Sequence, residues 1–122
     1  MKEIIFIYNA QSGLTQGAID WAHKLVSPQT YNCSLCNLTY GNLGKYDQWS
    51  KFLKSLNLEK TFIYQDQLND LKFYNQESLP CIFFQNENQY SQLITSEQLN
   101  LCSNLENLIK LIENKISLFK AS

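Results

Sequence analysis

Arginine is absent from this sequence, and all ten basic residues are lysines. No guanidinium is therefore available to fork onto a phosphate, a carboxylate or a guanine edge. With a formal net charge of −1, nucleic acid is not an expected partner. Long apolar runs are absent too: no stretch approaches the ~18 apolar residues that would cross a bilayer, so no membrane partner is expected. The opening Met1-Lys2-Glu3-Ile4-Ile5-Phe6-Ile7-Tyr8 lacks the longer apolar core and small-residue cleavage site of a signal peptide, which makes the expected location cytoplasmic. Histidine occurs once, as His23, and cysteine four times. In a reducing compartment those cysteines are free thiols, metal ligands or redox groups before they are structural disulfides. Stability does not need them, because a chain of 122 residues buries a core of its own.

What is present is a globular pattern. Hydrophobic residues make up 44% and charged residues 17%, far from the composition of disordered chains. Ile4 to Tyr8 reads as a strand buried on both faces. Ser12 can cap a helix with Leu14, Ala18, Trp21, Ala22 and Leu25 at helical spacing. From Pro28 to Gly44 no periodicity is sustained, and the expectation is an irregular segment carrying Cys33 and Cys36. Trp49, Phe52, Leu53 and Leu56 mark another amphipathic helix, and Thr61 to Tyr64 a second strand. Asp66 to Tyr74 reads as a weaker helix. Pro80 to Phe84 and Tyr90 to Ile94 read as an antiparallel hairpin, and Thr95 to Leu101 as a short helix. Ser103-Asn104-Leu105-Glu106 reads as a capping box for a last helix bearing Leu105, Leu108, Ile109, Ile112 and Ile116. No repeat or linker divides the chain, so residues 1–122 are expected to form one α/β domain.

This order of elements resembles the thioredoxin-like plan, and Leu79-Pro80-Cys81-Ile82-Phe83-Phe84-Gln85-Asn86 is similar to the segment around that family's cis-proline. The resemblance implies a three-layer sandwich, β-α-β-α-β-β-α, with an insert over about residues 28–56 and a cis bond before Pro80. It also aligns Ser12 and Thr15 with the two cysteines of the family's first-helix Cys-x-x-Cys. Hydroxyls cannot form the mixed disulfide of thiol exchange, so that chemistry is not implied at those positions. A second resemblance runs from Asp20-x-x-His23-Lys24 through Ser27-Pro28-x-Thr30-Tyr31-x-Cys33-x-Leu35-Cys36-x-Leu38-Thr39-Tyr40-Gly41, to a group of short bacterial proteins sometimes labelled GTPases. The label finds no support here, since a phosphate-cradling loop reads Gly-x4-Gly-Lys-Ser/Thr and residues 13–18 do not.

The chemistry rests on Cys33-x-x-Cys36. Two thiols at this spacing chelate one metal ion or close a disulfide. In thioredoxin-type sites the first cysteine stands in front of a helix. Here Asn37, which tolerates a left-handed backbone, points to a knuckle turn aiming both sulfurs at one ion. Asp20 and His23 share a helix face. The expected metal set is therefore Cys33, Cys36 and His23, with Asp20 as the weakest member and zinc as the ion. An ion there would order the polar stretch from Pro28 to Gly44. Surface pairing with Lys24 is the ordinary reading of Asp20, and a helix-terminal imidazole that of His23. Cys81 and Cys102 read as small buried hydrophobes. The expected function is a metal-binding module, and the alternatives are a thiol-disulfide oxidoreductase using the displaced pair and a non-catalytic domain for a protein partner. No residue pattern names a substrate.

Overall fold

A computed structural model describes residues 2–9, 34–41 and 44–121. The helix expected over residues 12–25, with Asp20 and His23, lies outside them. The sequence of elements begins with β1 (Lys2–Ile7), α1 (Ser34–Thr39), β2 (Tyr40–Gly41), β3 (Gly44–Lys45) and α2 (Asp47–Ser55). It continues with β4 (Glu59–Ile63), a 3-10 helix (Gln65–Asp70), β5 (Cys81–Asn86), β6 (Gln89–Ile94), α3 (Ser96–Asn100) and α4 (Leu105–Ala121).

The main sheet has the order β4-β1-β5-β6. β1 runs parallel to β4 and antiparallel to β5, and β5 and β6 form the antiparallel hairpin. This is a mixed α/β architecture. β1 is central because it is apolar on both faces. Its residues Ile4 and Phe6, with Tyr8 just beyond it, enter one core cluster and its residues Ile5 and Ile7 the other. The larger cluster takes Leu35 of α1, Trp49, Phe52 and Leu53 of α2, Leu99 of α3, and Leu105, Leu108, Ile112 and Ile116 of α4. On the second face, Leu68, Phe73, Tyr74 and Leu79 cover Ile5, Ile7, Cys81 and Phe83. Phe73, Phe83 and Tyr90 form an aromatic group there. No helix among the described residues is long and apolar enough to cross a membrane.

Four local expectations are corrected. The stretch before Gly44 is not wholly irregular: Ser34–Thr39 is helical, so Cys36 and Asn37 have helical backbone where a knuckle turn was expected. The physical reason is burial. Leu35 and Thr39, one turn apart, are both fully buried, and the Thr39 hydroxyl donates to the Leu35 carbonyl at 2.8 Å. The described residues of this stretch, 34–41 and 44–55, pack into the domain's main core. They supply Leu35, Trp49, Phe52 and Leu53 to the core, and apolar burial helps to order their described part.

The weak helix expected over 66–74 shrinks to the 3-10 helix at Gln65–Asp70, after which the chain turns irregular to bring Phe73 and Tyr74 onto the second face. The last helix starts one residue later than its expected cap. Asn104, not Ser103, caps it, its side-chain oxygen accepting from the Asn107 amide at 2.9 Å. The hairpin link is shorter than expected, only Glu87 and Asn88. Glu87 sits at φ 59°, uncommon for a side-chain-bearing residue, and the Gln85 amide braces it by donating to its carbonyl at 2.8 Å.

The start of α3 carries a testable cap. The Thr95 hydroxyl accepts from the Gln98 amide at 3.2 Å, and the Gln98 side chain accepts from the Thr95 amide at 2.9 Å. Thr95→Ala removes the first of these, and an expected loss of about 1 kcal/mol is read from the midpoint of a urea titration. Thr95→Asp, which keeps an acceptor, should recover most of it.

Candidate functional site

The strand register gathers several groups where β1 ends. Ile7 stands opposite Cys81, and Ile82 opposite Ile94. The C-terminal end of β1, the start of β5 and the end of β6 therefore share one end of the sheet. The Tyr8 amide extends the parallel pairing by donating to Ile63 at 2.8 Å, and the Tyr8 ring is fully buried against Phe62 and Tyr64. Pro80 is buried at the entry to β5, and the Leu79–Pro80 bond is cis, as the sequence led us to expect.

Cys81 is next after that proline and is fully buried. Burial, reinforced by the nearby Glu77 carboxylate and opposed by a hydrogen bond from Gln92, pushes its thiol up to about 12. The Tyr74 hydroxyl donates to the Glu77 carbonyl at 2.5 Å, and burial, then Cys81 and Glu77, raises its pKa as well. A buried thiol held protonated at neutral pH is a poor nucleophile, which supports packing as the role of Cys81. Cys102 packs against the other cluster. Its thiol donates to the Gln98 carbonyl at 3.6 Å, and burial raises its pKa. Cys81 and Cys102 thus sit on opposite faces of the sheet, and both are free.

Ellman's reagent at pH 8 should leave Cys81 unmodified in the native protein and titrate it fully in denaturant. The sign of the linkage is fixed by the direction of the shift. A raised thiol pKa stabilises the fold fully below the ordinary value near 9, and that contribution is lost as pH climbs toward about 12. The stability of the wild-type protein relative to Cys81→Ala should fall across that interval.

Of the sequence-predicted ligands, Cys33, His23 and Asp20 lie outside the described residues. Cys36 stands in the first turn of α1 by its backbone, and its side chain is not among the described ones. Among the described residues no group of three or more His, Cys, Asp or Glu could hold a metal ion. The helical backbone of Ser34–Thr39 changes the context of the motif's second cysteine, Cys36. The grouping of Tyr74, Glu77, Cys81 and Gln92 was not legible in the sequence, since it depends on an irregular segment folding under the sheet.

No protein-family profile, no curated protein and no solved structure matches this chain.

Proposed function

We propose that this chain is a thioredoxin-like protein that works in the cytoplasm through the Cys33-x-x-Cys36 dithiol, exchanging it for a disulfide with protein partners. The observation that carries this reading is the helical backbone of Ser34–Thr39, which includes Cys36. A Cys-x-x-Cys whose second cysteine has helical backbone fits the thioredoxin-type context, whereas a metal knuckle needs a turn at that point. The strand order supports the plan: a parallel pair β1 and β4, an antiparallel hairpin on the other side of β1, and a last helix over one face. The described part of the connection from β1 to β4 includes the helices α1 and α2, and the dithiol belongs to that connection. By the stretch from Asp20 to Gly41 we also read the chain as a relative of the short bacterial proteins that share it.

The chemistry is a two-electron exchange. The Cys33 thiolate attacks one sulfur of the partner's disulfide, forming a mixed disulfide and releasing the other sulfur as a thiolate that takes up a proton. The Cys36 thiolate then attacks the Cys33 sulfur. This frees the partner's second thiol and leaves a Cys33–Cys36 disulfide, which a cellular dithiol of lower potential reduces again.

The test is one preparation, purified under reduction and without chelator, read three ways. Mild oxidation should remove two hydrogens from the mass and two reactive thiols from the count, elemental analysis should find no stoichiometric metal, and the reduced protein should reduce protein disulfides. One zinc per chain with no reversible disulfide would instead favour the ligand set Cys33, Cys36, His23 and Asp20.

A further inference from the structure

We draw no further inference here: the strongest candidate, the outer edge of β6, which carries no charged side chain and has no strand beside it on that side among the described residues, is interrupted by the register shift opposite Ile82 and Phe83, and nothing in the structure shows what covers it.

Discussion

Replacing Trp49 with alanine should lower the unfolding free energy by about 3–5 kcal/mol, the range for truncating a large buried aromatic. Trp49 is fully buried. It meets Phe6 of β1 edge to face at 5.5 Å and lies 5.7 Å from Phe52 one turn along α2, so it joins α2 to the centre of the sheet. Against a total stability of about 5–15 kcal/mol for a domain, the loss is large enough to populate unfolded chain. Trp49→Phe separates the causes. The indole nitrogen is buried with no hydrogen-bond partner among the described residues, so phenylalanine gives up ring volume and no hydrogen bond, and its loss should be clearly smaller. A guanidinium titration of both variants reads the difference. A Trp49→Ala midpoint within the range of a surface change would show that α2 does not hold the core.

The second large effect is on chemistry. Cys33→Ser should bring the reduction of protein disulfides to the background rate, because a hydroxyl at neutral pH cannot form the mixed disulfide. Cys36→Ser should behave differently: the first attack still occurs, the resolving thiol is missing, and a mixed disulfide with the partner accumulates, visible on a non-reducing gel and by mass. Cys81→Ser and Cys102→Ser should keep the activity, since neither thiol is placed for exchange and burial holds both protonated. Activity that survives Cys33→Ser but is lost in Cys81→Ser would move the chemistry to the Pro80 end of β5.

Much of the scaffold was legible in the sequence. Ile4 to Tyr8 declared a central strand by having no polar face, Trp49, Phe52 and Leu53 declared a helix by their spacing, and Pro80 to Ile94 declared a hairpin. Local patterns of period two or 3.6 arise from which side of an element meets the core, and those signals need no knowledge of neighbours. The candidate ligands Cys33, Cys36, His23 and Asp20 were also read from local spacing.

Tertiary structure decided what local pattern could not carry. The stretch Ser34-Leu35-Cys36-Asn37-Leu38-Thr39 has weak helix formers and an asparagine that suits a turn, so propensity favoured irregular chain. The helix forms because Leu35 and Thr39 reach a core built by residues far along the chain, and burial outweighs the few tenths of a kcal/mol per residue that propensity opposes. A cleft at the amino ends of α2 and α4, lined by Asp47 and Glu106 among others, was invisible for the same reason. Asp47 and Glu106 are distant in sequence, and they come together because β6 returns the chain to the end of the sheet where β1 stops. Sequence alone determined which sides of β1, α2 and the β5–β6 hairpin would be buried, since that is a property of side chains and their spacing. The folded sheet determined which of them meet, because that depends on strand order and direction, which no local period encodes.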